Sequence, residues 1–151
     1  MAYNDDDEMN SPPHPYAHLE PPPPDVLPQG EAYDWFQRAV ELIDAGSPHP
    51  AIELLKRVVT DEPESRSVRE ALARAQFDAG LYLEARETFE WIIGVNPADD
   101  YAQFGLGLSA ARTDDLPKAV EHLALAAAMR PDISHYAQAL RGARATLAAQ
   151  K

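Results

Sequence analysis

AIELLKRVVTDEP (51–63), ARETFEWIIGVNP (85–97) and AVEHLALAAAMRP (119–131) are three versions of one segment. Each opens on Ala and closes on Pro, and the closing residues Pro63, Pro97 and Pro131 stand 34 residues apart without drift. A fixed period of that length marks a stacked array of helix pairs, in which each unit buries its apolar face only against its neighbours.

Aligned on these prolines, the chain divides into blocks 32–65, 66–99 and 100–133. Counting inside each block, position 8 is Ala39, Ala73 or Gly107, and position 20 is Ala51, Ala85 or Ala119. Position 24 is Leu55, Phe89 or Leu123, and position 27 is Val58, Ile92 or Ala126. Small residues at the first two positions let two helix axes approach closely, while the later two fill the space between pairs. Each block therefore reads as helix, turn, helix.

The breaks agree with this reading. Mid-block stand Gly46-Ser47-Pro48, Gly80-Leu81 and Asp114-Asp115-Leu116-Pro117. Gly ends a helix, Ser47 or Asp115 caps the next, and Pro is tolerated in a first turn. The block-end prolines cannot continue a helix interior. The spacing predicts helices near 32–45, 49–61, 66–79, 82–94, 100–113 and 116–129, with a seventh near 133–149. That last helix carries Arg141 and Arg144 where earlier blocks place small or apolar residues against a partner helix, so it reads as a solvating cap over 134–149.

Trp35, Ala39, Leu42, Ala51, Leu55 and Pro63, then Leu72, Ala73, Gly80, Tyr82, Ala85, Phe89 and Pro97, then Leu106, Gly107, Ala119, Leu123 and Pro131 fall at the signature positions of the tetratricopeptide repeat (TPR) family. The chain resembles that family over 32–133, in its small three-repeat bacterial form. The resemblance implies an all-α, right-handed α-solenoid of three TPR helix pairs plus a C-terminal capping helix. Arg69 and Gln103 replace an aromatic at position 4, and Gln76 and Ala110 replace a Tyr at position 11. These departures are expected to loosen local packing.

A helix turns about 100° per residue, so positions 4, 7, 8 and 11 share one face while 2, 5, 9 and 12 share another. The resemblance implies that the second face, on the first helix of each pair, lines a concave groove. Its members are Tyr33, Phe36, Val40 and Ile43, then Ser67, Glu70, Arg74 and Phe77, then Tyr101, Phe104, Leu108 and Ala111, with His135 and Gln138 from the cap. Aromatic and apolar walls flank a polar middle, which suits an amphipathic helix or extended peptide. The same apolar residues could instead pack against the adjacent repeat. Relatives that clamp a terminal carboxylate use Lys and Asn at positions 5 and 9 of the first block; Phe36 and Val40 stand there, which argues against a chaperone-tail adaptor. Arg74 and Arg112, with His135 nearby, could hold an acidic group, but an internal Glu70–Arg74 pair in the favourable i, i+4 order competes.

Residues 1–30 differ from the rest. They hold eight of the fourteen prolines, including Pro21 to Pro24, and six carboxylates with no Lys or Arg. Such a segment is expected to be a disordered acidic tail or local polyproline helix ahead of a TPR domain over 31–151. The net charge of −12 and the absence of a basic stripe argue against nucleic acid and anionic membranes as partners. The acidic start lacks the features of a signal peptide, and no stretch reaches the length of a membrane span, which gives a cytoplasmic expectation. Without cysteine there is neither a disulfide framework nor a thiol nucleophile.

No Gly-rich phosphate loop, helical His pair or Ser-x-x-Lys is present, so catalysis and a cofactor are not expected. His14 and His18, four apart near Asp5 to Glu8, lack a preorganised metal frame. His122 falls on a packing helix as a core or boundary residue, and Trp91 on the convex side, where homodimer contact is possible. The leading reading is a noncatalytic adaptor, monomeric or weakly dimeric, that binds another protein in the groove. The alternative is a regulatory or self-associating module whose groove takes its own tail, through Tyr16, Leu19, Val26 or Leu27.

Overall fold

The computed structural model describes residues 30–150. Within them the chain forms α1 (Glu31–Asp44), α2 (Pro48–Asp61), α3 (Arg66–Asp78), α4 (Tyr82–Val95), α5 (Asp100–Arg112), α6 (Leu116–Met129) and α7 (Ser134–Ala149). These bounds lie within a residue or so of the helices read from the sequence. The expected tail lies outside the described residues.

One backbone device closes the first helix of every pair. Gly46, Gly80 and Asp114, each at position 15 of its block, have φ of 81°, 79° and 59°. This left-handed residue lets the next amide turn back to a carbonyl five residues earlier: Ser47 to Leu42 (2.8 Å), Leu81 to Gln76 (2.8 Å) and Asp115 to Ala110 (2.9 Å). Glycine adopts that conformation freely, whereas Asp114 does so against its Cβ.

Caps follow from which amides exist. Ser65, Asp99 and Asp115 each accept from the amide three residues on, at Val68, Ala102 and Lys118. Ser47, expected to do the same, makes no side-chain cap bond. The residue three positions on is Pro50, which has no amide hydrogen to donate.

The helices stack in order, each packing on its chain neighbours. Ala39, Ala73, Ala51, Ala85, Leu55, Phe89, Val58 and Ile92 are wholly buried, as the repeated positions require. Gly107 lets α5 close on α6: a Cβ there would meet Leu123 Cγ at 2.7 Å and the Leu123 backbone nitrogen at 3.1 Å. At Gly105 a Cβ would overlap the Phe89 ring. The last pair is finished by α7, whose Tyr136 is fully buried against Phe104 with ring centroids 4.5 Å apart. Leu140 and Ala143 are buried as well, and Arg141 and Arg144 are exposed.

Three of the four departures from the family pattern, Arg69, Gln76 and Gln103, find a partner on the second helix of their own repeat, and Ala110 is simply buried. Gln76 accepts a 2.6 Å bond from Thr88 Oγ1. Gln103 Oε1 lies 2.7 Å from His122 Nδ1, and Gln103 Nε2 donates to the Pro97 carbonyl at 3.0 Å. Arg69 sits over the Trp91 ring, 4.1 Å from its centroid. Trp91 is thus half-buried under a guanidinium, not bare on the surface.

Candidate functional site

The odd-numbered helices touch one another as well as their chain neighbours: α1 meets α3, α3 meets α5 and α5 meets α7. No such contact links α2, α4 and α6. In a two-layer stack the layer whose members touch is the shorter one, so the array bends toward the odd helices. Their outward face is the inner surface of the curve.

The structure separates the residues assigned to this face into two groups. Tyr33, Phe36, Val40, Ser67, Arg74, Tyr101, Leu108, Ala111 and His135 are half-buried, and Arg112 and Gln138 are exposed. Ile43, Glu70, Phe77 and Phe104 are buried. Phe104, at 2% exposure, spends its ring on Tyr136, and Phe77 packs edge-on against Tyr82 at 5.1 Å. Ile43 joins the core of the first pair with Leu55 and Leu72. Successive inner helices sit close enough to cover these positions, so they act in packing and are corrected out of any open wall.

The polar middle is also arranged differently from the expected Glu70–Arg74 pair. Arg74 donates to Asp44 on α1 at 3.0 Å and stands 4.0 Å from Asp78. Asp44 and Asp78 both occupy position 13 of their blocks, so Arg74 links two repeats through equivalent carboxylates. Glu70 lies 3.7 Å from Arg66, which also approaches Asp99 at 3.9 Å. In the third block position 13 is Arg112, and its guanidinium turns to Tyr82, bonding the hydroxyl at 3.1 Å.

Arg112 borders a shallow cleft of about 420 Å³ with Leu81, Tyr82, Leu83 and Thr113. Leu83 is 63% exposed there. The sequence reading missed this edge, because Leu83 lies on a second helix, away from the inner face; a large apolar residue three after a helix-ending Gly is the signal it carried.

Two titratable groups are displaced by their surroundings. Burial lowers the pKa of His122, with Lys118 and Arg86 adding to the effect and Glu121 and Glu90 opposing it. Burial first, then the 2.7 Å bond to Asp100, raises Tyr136 far above the ordinary phenol range, so it remains a donor. Both groups serve packing. Among the described residues no three His, Asp or Glu side chains group as a metal site would, and no helix is long and apolar enough to cross a membrane. His14 and His18 lie outside the described residues.

A bent stack of helix pairs with an aromatic and charged inner face defines the class of α-solenoid repeat proteins. The tetratricopeptide repeat family model matches residues 36–90 and 70–132, and the chain belongs to that family. No curated protein matches it. Among solved structures, the first TPR domain of the human RPAP3 protein is 16% identical, with a TM-score of 0.73 over 78% of this chain and 93% of that one. The first TPR of Spaghetti (RPAP3) bound to the HSP90 peptide SRMEEVD is 16% identical, with a TM-score of 0.74 over 78% and 94%. The Sgt2 TPR domain from Aspergillus fumigatus is 18% identical, with a TM-score of 0.73 over 83% and 84%. At these identities the likeness is one of fold.

Proposed function

We propose that this protein is a noncatalytic adaptor that binds a helical or extended segment of another protein in the concave groove. TPR domains are protein–protein interaction modules, and one structural relative is bound to a peptide. The observation that carries the reading is the half-buried apolar set on the inner face: Tyr33, Phe36 and Val40 on α1, and Tyr101 and Leu108 on α5. They flank the Arg74 carboxylate bridge, and aromatic anchors beside an arginine are the residue types that interface energetics favour.

The segment recognised differs from a chaperone tail, because Phe36 and Val40 offer no cation or amide where carboxylate-clamping relatives place them. The partner's anchors are therefore apolar, with one polar residue between them.

A photo-crosslinker at Phe36 or Leu108 in the full chain should capture a protein that the same group at Leu125, on α6, does not. Phe36→Asp with Tyr101→Asp should abolish that capture while far-UV circular dichroism is unchanged. Equal capture from both layers, or capture that survives the double substitution with helicity intact, overturns the reading.

A further inference from the structure

We propose that the groove has an occupant within its own chain: the segment Tyr16–Leu27, which seats in cis and competes with the outside partner. This rests on the reading of the inner face as a recognition surface and concerns its regulation.

Twenty-nine residues precede Gly30, enough to extend up to about 95 Å. They join the domain at the first turn of α1, the helix that carries the first apolar wall. Gly30 has a φ of 60°, which bends the chain at that junction. The segment thus begins beside the surface it is to cover.

Its spacing fits the walls. Four prolines, Pro21 to Pro24, favour a polyproline helix rising about 3.1 Å per residue, so Leu19 and Val26, seven apart, would stand about 22 Å from each other. Packed helices lie about 8–10 Å apart, which puts α1 and α5 at nearly that separation across α3. Val26 and Leu27 then meet Phe36 and Val40, while Leu19 and Tyr16 meet Leu108 and Tyr101. A stiff polyproline rod loses little entropy on docking.

Because the segment is tethered, its local concentration is on the order of millimolar, so even a weak contact is populated.

The chain has no cysteine, so a single label can be placed in the full-length protein. A spin label on Ala17→Cys should reduce amide signals of Tyr101 and Leu108 by more than half and leave those of Lys56 and Arg57, on α2, unchanged. Leu19→Asp with Val26→Asp should restore the α5 signals, and tenfold dilution of the labelled wild-type sequence should not. Equal broadening of both layers, broadening that survives the two substitutions, or broadening that falls on dilution, which assigns the groove to a second copy's segment, overturns the proposal. No outside partner enters this measurement, so its failure leaves the adaptor reading to the crosslinking result.

Discussion

Arg69 and Trp91 form the same cation–aromatic pair as Arg57 and Trp35, with the roles exchanged. In the first repeat Trp35 holds position 4 and Arg57 position 26, with the guanidinium 4.3 Å from the ring centroid. In the second repeat Arg69 holds position 4 and Trp91 position 26, at 4.1 Å. A half-buried pair of this kind contributes about 1–2 kcal/mol. Trp91→Arg alone would oppose two guanidinium groups and should lower stability by more than that. Adding Arg69→Trp recreates the first repeat's order and should recover most of the loss. Denaturant midpoints for the four proteins give the coupling directly, and a double variant no better than Trp91→Arg would remove the pair as a stabilising element.

That pair also shows where the sequence was legible and where it was not. The period of Pro63, Pro97 and Pro131, the small residues at positions 8 and 20, and the turn glycines carry the helix pairs almost to the residue, because each reflects a steric rule acting on one position. Arg69 and Trp91 each stood out singly as exceptions. Their compensation requires knowing that positions 4 and 26 meet across the turn, which is a fact of packing. The same holds for Gln103 with His122 and Gln76 with Thr88. On the inner face the helical period placed Phe36 and Phe104 alike. It could not tell that Tyr136 would cover Phe104 while Phe36 stayed partly open.

Gly107 is fixed by its neighbour on α6, and Gly94 by nothing. A Cβ at Gly107 meets Leu123 side-chain atoms at 2.7 and 2.9 Å and its backbone nitrogen at 3.1 Å; at Gly94 it meets no atom within 4 Å. Ala improves helix propensity by about 1 kcal/mol in either place. At Gly107 the overlap wins, since a helix backbone cannot yield locally, and Gly107→Ala should cost a net of about 1–2 kcal/mol. Gly94→Ala should instead stabilise by about 0.5–1 kcal/mol. Thermal unfolding followed at 222 nm should move in opposite directions for the two variants.

Asp114 holds the left-handed conformation that Gly46 and Gly80 hold in the other repeats. An L-residue there is strained by about 1 kcal/mol, which the larger unfolded-state entropy of glycine partly offsets. Asp114 contributes no cap bond of its own, since the bond to the Lys118 amide belongs to Asp115. Asp114→Gly should therefore raise stability by about 0.5–1 kcal/mol, whereas Gly80→Val, placing a β-branched residue at φ 79°, should lower it by more than 1 kcal/mol. A destabilised Asp114→Gly would mean that the carboxylate has a role beyond the turn.

His122 should make stability depend on pH in the mildly acidic range. Its ring faces Gln103, whose amide nitrogen is committed to the Pro97 carbonyl, so Gln103 Oε1 accepts and His122 Nδ1 carries the proton. Burial disfavours the second proton, and Lys118 and Arg86 disfavour it further against Glu121 and Glu90. The folded pKa thus lies below the unfolded value of about 6.5, and the unfolded chain binds more protons between the two. The contribution of His122 is complete above that value and is lost as pH falls beneath it. His122→Gln keeps a donor for Gln103 without a titrating ring, so the difference between wild type and variant should narrow from pH 7 to pH 5. Chemical denaturation across that range measures it; a difference that is constant with pH would show that the ring is equally free to protonate in both states.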